Sequence, residues 1–315
     1  MIKHRSLALS AFALCAAATP ALAGDGTNLY GMFAQDTQMV VVFDVADARD
    51  SALVQKGYDK VLAMAPDAQT KLTELGIDPM KDVDTIALAA GGMKDFEDMD
   101  RAKSMVMVIE GRLPKDKLDT VAGAKRSTYK GVSIYSKDDS DVAFVGDRLL
   151  LTKGGKMKAQ IDLAKGKAKG KSLTGSAKGK KMRDTLATTD TTADLWLAVL
   201  VPDKARKEME RDGMTALSVS GGANFTANLV MALRIDSDSE DSAAKAVAMI
   251  QGQLGQAVST MQQIGLGKAA KSLSITNEQA AIKIAITFTE AEINAILGLM
   301  GSFAGGGGSD FPVAP

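Results

Sequence analysis

Apolar positions along the chain fall into short runs at strand spacing, separated by stretches at helix spacing. The first run, 39–43, predicts a strand, and the pattern after it predicts a helix over 48–64 with Asp47 as N-cap. A second run at 85–90 ends in Gly91-Gly92, and a third at 105–109 leads to a helix beginning near Pro114. Strands at 141–145 and 148–152 turn at Gly146-Asp147, and a helix near 155–165 follows. The second half repeats the succession. It has a strand at 195–200, a helix from Pro202, a strand at 216–220 ending in Gly221-Gly222, and a strand at 227–235. A long helix from Ser239 then carries Val247, Ile250, Leu254, Ala257, Met261 and Ile264 as one apolar stripe. A hairpin over 273–276 and 280–288 turns at Asn277-Glu278, and Thr289 with Glu292 makes a capping box for the last helix.

These elements predict an α+β fold of two tandem β-α-β-β-α-β-β-α units, with largely antiparallel sheets and helices on one face. The order within each unit matches a split β-α-β arrangement. Alternation in Ile282-Lys283-Ile284-Ala285-Ile286 predicts a sheet with one wet face. The units span 24–165 and 193–302. Between them, 166–192 is a Lys-, Gly- and Thr-rich connector with a helix near 178–186, and 303–315 reads as a flexible Gly-rich tail.

The start of the chain has a different character. Lys3 and Arg5 precede an apolar run from Leu7 to Ala18, and Pro20 is followed by Ala21-Leu22-Ala23. That is the pattern of a signal peptide over 1–23, cut after Ala23, and it predicts a periplasmic or secreted protein. No later run is long enough to predict a transmembrane segment. The one His, His4, and the one Cys, Cys15, both precede the cut. The processed chain therefore has neither imidazole nor thiol. Histidine- and cysteine-based nucleophile systems and the usual zinc sites are excluded. No catalytic residue, cofactor or metal is predicted.

Charge is spread unevenly. Residues 153–183 hold ten Lys and Arg183 against the single acid Asp162, while the rest of the processed chain is acidic. Lys165, Lys167, Lys169, Lys171, Lys178, Lys180 and Lys181 are the candidate contacts for an anionic polymer or a membrane surface. No aromatic lies in this segment, so base stacking is not offered. Gly166 to Ser172 lacks the spacing and the preceding strand of a phosphate loop. The acids Asp236, Asp238 and Glu240 read as a helix start rather than a calcium loop, because Asp241 replaces the required glycine. Ser127-x-x-Lys130 and Ser242-x-x-Lys245 lack the Lys-Thr-Gly that would make them catalytic. Methionine, a soft metal ligand, is frequent but dispersed along the chain and reads as adaptable packing.

The layout, with Gly76-Ile77-Asp78-Pro79-Met80-Lys81-Asp82-Val83-Asp84, resembles uncharacterised exported proteins of Gram-negative bacteria in which a Gly-Ile-Asp-Pro-x-Lys-Asp-x-Asp turn precedes a strand. The resemblance implies an α+β fold and no established activity, and it assigns no functional residue. The expectation is an exported, non-enzymatic binding or envelope-associated structural protein. The alternative is a periplasmic carrier that holds a lipid or other apolar ligand between sheet and helices.

Overall fold

Val40 and Val42 of the first apolar run stand beside Ala198 and Trp196 of the run that opens the second half, so both halves share one sheet. The computed structural model describes residues 27–64, 73, 76–95, 104–120, 123–211 and 213–305. Twelve strands form a single antiparallel sheet about the pair β1 (Thr37–Asp44) and β8 (Leu195–Leu200). Outward from β1 lie β2 (Val83–Gly91), β3 (Ser104–Gly111), β7 (Arg148–Lys153), β6 (Ser140–Val145), β5 (Val132–Lys137) and β4 (Lys125–Tyr129). Outward from β8 lie β9 (Ser218–Phe225), β10 (Asn228–Asp236), β12 (Ala281–Thr289) and β11 (Ser274–Glu278). Each side is a three-strand meander followed by a hairpin docked through its second strand.

Two expectations are corrected here. The order is not split β-α-β: β1 pairs directly with β2, and β8 with β9, because antiparallel neighbours need no crossover. The first side also carries an extra hairpin, β4–β5, which turns at Lys130 (φ 49) and Gly131 (φ 77). Both turn residues adopt the left-handed conformation that such two-residue turns require. The exposed Lys125 and Arg126 put charge on this free edge, which discourages pairing with another chain.

Nine helices occur among the described residues. They are α1 (Val45–Ala48), α2 (Ala52–Met64), α3 (Pro79–Asp82), α4 (Met157–Ala164), α5 (Lys180–Ala187), α6 (Asp203–Arg211), α7 (Glu240–Gln263), α8 (Gly267–Ser272) and α9 (Glu290–Gly305). They lie on both faces of the central strands, not on one. On the first face, carrying Val40, Val42, Val108 and Leu150, the cover is α4, α5 and a 3-10 turn at Thr27–Met32. On the second face, carrying Phe43, Ile86 and Ile109, it is α1, α2 and a 3-10 turn at Lys115–Thr120. Strands β1 to β3 are apolar on both faces and need two layers of cover.

The connector is folded. Leu173 is fully buried and joins Met182 and Leu186 in the main core. The Leu173 N–H donates to the Phe33 carbonyl at 2.7 Å, and the Arg183 guanidinium donates to the carbonyls of Leu173 and Ser176 at 2.5 and 2.7 Å. A Cβ at Gly179 would collide with the Leu173 carbonyl, so only glycine fits there. The last helix runs on to Gly305, into the stretch read as tail. Residues 1–26, within which the signal peptide is expected, and 306–315 lie outside the described residues.

Local chemistry explains the helix starts. Asp78 accepts from the Met80 N–H at 3.0 Å, while its own N–H donates to Asp82 at 2.7 Å, so the Gly-Ile-Asp-Pro segment caps α3. Glu292, 4% exposed, accepts from the N–H groups of Lys268, Ala269 and Thr289 and from the Thr289 hydroxyl, all at 2.7–2.9 Å. Burial alone would raise its pKa, but these donors outweigh it and hold the carboxyl below its usual value. Glu292 thus joins the starts of α8 and α9. Replacing it with alanine strands buried donors and should cost about 2–4 kcal/mol in urea unfolding at neutral pH, with Gln retaining part of the loss.

Candidate binding surfaces

The predicted basic segment divides into two groups. Lys165 and Lys167 follow α4, and Lys171 ends the next turn; all three are exposed. Lys178, Lys180 and Lys181 are exposed at the start of α5, where Lys180 pairs with Asp184 at 2.6 Å. The side chain of Lys169 lies outside the described residues. Helix α4 covers β6 and β7, whereas α5 covers β8 and β1. Strand order puts β1 three places from β7, roughly 14 Å at ordinary strand spacing.

The first group gains partners that sequence distance concealed. Lys130, in the β4–β5 turn, pairs with Asp162 at 2.6 Å, and the Tyr129 hydroxyl donates to the same carboxylate at 3.2 Å. The Lys165 ammonium donates to the Lys130 carbonyl at 2.8 Å. The Lys130 and Lys158 ammoniums lie 5.0 and 5.8 Å from the Tyr129 ring centre. The hydrogen bond from Lys130 holds the Asp162 carboxyl below its usual range, and the charge of Lys167 adds to this. Four lysines thus surround one carboxylate and one ring. Tyr129 and Lys130 fall outside 153–183; the first strand of their hairpin is polar, and the alternation of Val132 and Ile134 in the second is the signal that could have found it. Exchanging Lys130, Lys158, Lys165 and Lys167 for Gln should remove retention on heparin at about 50 mM salt, retention that itself vanishes by about 200 mM. Exchanging Lys180 and Lys181 should change it little. Column retention with circular dichroism as folding control checks both.

In the second unit α5 covers the first face over β8 and part of β9, and among the described residues the face is open over β10, β12 and β11. Val230 is 40% exposed, and Ala232, Lys283, Ala285, Ser274 and Thr276 are exposed beside it. A shallow groove of about 460 Å³ runs between these strands and the Thr188–Ala193 loop, over the small residues Ser220 and Gly222. Its charges are internally balanced: Arg234 binds Asp236 at 2.7 Å, and Lys283 pairs with Glu278.

The second face of this unit is apolar and incompletely covered. Leu195, Leu197, Val199, Val219, Leu229, Met231, Leu233, Ile284, Ile286 and Phe288 all point toward the helices, yet each is only half-buried. Helix α6 seals one end through Ala205 against Val219 and Ile235. Helix α7 is anchored by Ala243, Ala246 and Val247 against Ile282. Beyond that anchor its stripe opens: Ile250, Leu254, Val258 and Met261 are half-buried, and Ile264 is 46% exposed. Helix α9, tied to α2 by the Lys56–Glu290 pair, brings half-buried Ile293, Ile296 and Leu297. Among the described residues no helix is long and apolar enough to cross a membrane.

At the seam end of this layer Phe43 meets Phe225 edge-on, 5.9 Å between ring centres. Beside it sit Asp44, which caps α1, and Asp194, which accepts from the Phe225 N–H at 2.6 Å. Desolvation pushes the Asp44 carboxyl up to about 6 and raises that of Asp194, and Asp47 adds repulsion to both.

No protein-family model and no curated protein matches the sequence. Two solved structures are similar to the chain, crystal forms I and IV of TP0453. Form I aligns with a TM-score of 0.48 at 10% identity, covering 85% of this chain and 95% of that one. Form IV aligns with a TM-score of 0.44 at 10% identity, covering 86% and 95%.

Proposed function

We propose that this is an exported binding protein of the cell envelope that acts by holding an apolar ligand, a lipid or a molecule of similar chemistry, rather than by catalysis. One observation carries the reading: the layer between the second unit's sheet and α7 and α9 is apolar on both sides but incompletely covered. A closed core buries large apolar side chains, and ten of them on this one sheet face stay half-buried. At about 25 cal/mol per Å² of apolar surface removed from water, an acyl chain seated there gains several kcal/mol.

Helix α7 supplies the means of access. Its first turns are anchored, and Gly252 and Gly255 follow with open space where a Cβ would stand. No packing demands glycine there, and each costs the helix about 0.5–1 kcal/mol relative to alanine. The cost falls just beyond the anchored turns, where the apolar stripe is only half-buried, which suits a segment that lifts to admit a ligand.

A dansyl-labelled fatty acid tests the reading through Trp196, the one tryptophan, whose strand neighbours Leu195 and Leu197 face the layer. Saturable energy transfer from Trp196, displaced by unlabelled fatty acid, is expected. Leu197→Gln and Met231→Gln should abolish it with the circular dichroism unchanged, and Gly252→Ala with Gly255→Ala should slow uptake. Absence of saturable transfer, or transfer indifferent to both Gln variants, contradicts the reading.

A further inference from the structure

Three methionines far apart in sequence meet on one patch of the second face. Met39 on β1 and Met105 on β3 are the direct cross-strand partners of Ala90 on β2, one on either side. Two strand steps separate them by about 10 Å, with only the Ala90 methyl between. Met93 closes the triangle. The chain reverses at Gly92 (φ 69), and the Met93 N–H donates to the Gln38 side-chain oxygen at 2.6 Å. That bond holds Met93, 6% exposed, against Ala90. Among the described residues the cluster consists of Ala90 and these three methionines.

Packing gives no reason for this composition. Leucine or isoleucine fills a patch over a small residue with better-defined rotamers, and methionine specifies a core poorly. What three thioethers share is soft, neutral ligation, which selects Cu(I) over harder divalent ions. Their unbranched side chains reach across the Ala90 gap. Met39 and Met105 are half-buried, which leaves an entry path, while Met93 is fixed. Beyond Cys15 the chain offers no thiol or imidazole to compete.

We propose that Met39, Met93 and Met105 form a three-thioether site for a soft monovalent cation, Cu(I), for which Ag(I) is a redox-silent stand-in. All three ligands are neutral, so the bound ion keeps its charge. Zn(II), which prefers nitrogen, thiolate and carboxylate donors, gains nothing there.

The test uses the full chain carrying His4→Gln and Cys15→Ser, so that no imidazole or thiol contributes whether or not the leader is removed. Ag(I) is titrated while methionine methyl resonances are followed by NMR, and Cu(I) is titrated anaerobically against a chromophoric chelator. One equivalent should bind, shifting the resonances of Met39, Met93 and Met105 and leaving those of Met209 and Met214 in place. Each single Met→Leu variant should weaken binding about tenfold or more, and the triple variant should abolish it. If the triple variant fails to fold, the identity of the shifted resonances decides alone. No retention of either ion, shifts at other methionines, or undiminished binding in a folded triple variant overturns the proposal.

Discussion

Truncating Leu173 to alanine will destabilise the protein by about 2–5 kcal/mol, as much as any substitution in its central strands. Composition makes this unexpected, because Leu173 stands in a Lys- and Gly-rich stretch that reads as a loose connector. In the fold its side chain is fully buried among Phe33, Met182 and Trp196, and its N–H is bonded to Phe33. Alanine would leave a cavity in this core, and α5 is held beside it by the Arg183 bonds to the Leu173 and Ser176 carbonyls. Urea unfolding of Leu173→Ala beside Lys171→Gln measures the contrast. The surface variant should stay within about 0.5 kcal/mol of wild type.

Asp44→Asn should stabilise the protein by about 1–3 kcal/mol near pH 7.5 and flatten its stability between about pH 4 and 7. Asp44 is 6% exposed, and its carboxyl is pushed from 3.8 up to about 6, chiefly by desolvation and then by the charges of Asp47 and Asp194. The folded state therefore binds the proton more tightly than the unfolded state. The stability linked to this proton is fully present below the unfolded value of 3.8 and is lost as pH rises through about 6. At neutrality the fold carries an ionised, poorly solvated carboxylate. Asparagine removes that charge and still caps α1, because its side-chain oxygen accepts from the Asp47 N–H as Asp44 does at 3.3 Å. Melting temperatures of both proteins at about pH 5 and 7.5 check this. Wild type should be more stable at the lower pH by a margin that the variant lacks.

What was legible in the sequence followed the strength of local signals. Unbroken apolar runs marked β1, β2, β3 and β8. The same lack of alternation was also a sign of cover on both faces, which the expectation of one helical face overlooked. Lys283 and Ala285, alternating with isoleucines, correctly marked a wet face in the second unit. The Thr289–Glu292 capping box was readable because its partners lie three residues apart. The β4–β5 hairpin was hidden because Lys125 to Tyr129 is polar along its length, and its Lys130-Gly131 turn signal is weak. The paired glycines are not equivalent markers: Gly91 ends β2, whereas Gly221-Gly222 lies within β9. The candidate sites were the least readable. The Tyr129–Asp162 contact, the trio about Ala90 and the incompletely covered layer all depend on strand order, which no local pattern encodes.

Native mass spectrometry of the protein taken from its own envelope, under conditions that keep noncovalent complexes, tests ligand carriage most directly. The predicted result is a bound apolar molecule in stoichiometric amount, released by organic solvent and absent from Leu197→Gln and Met231→Gln proteins prepared in the same way. A protein that emerges at its bare polypeptide mass, while a known lipid carrier run beside it keeps its ligand, would contradict the account.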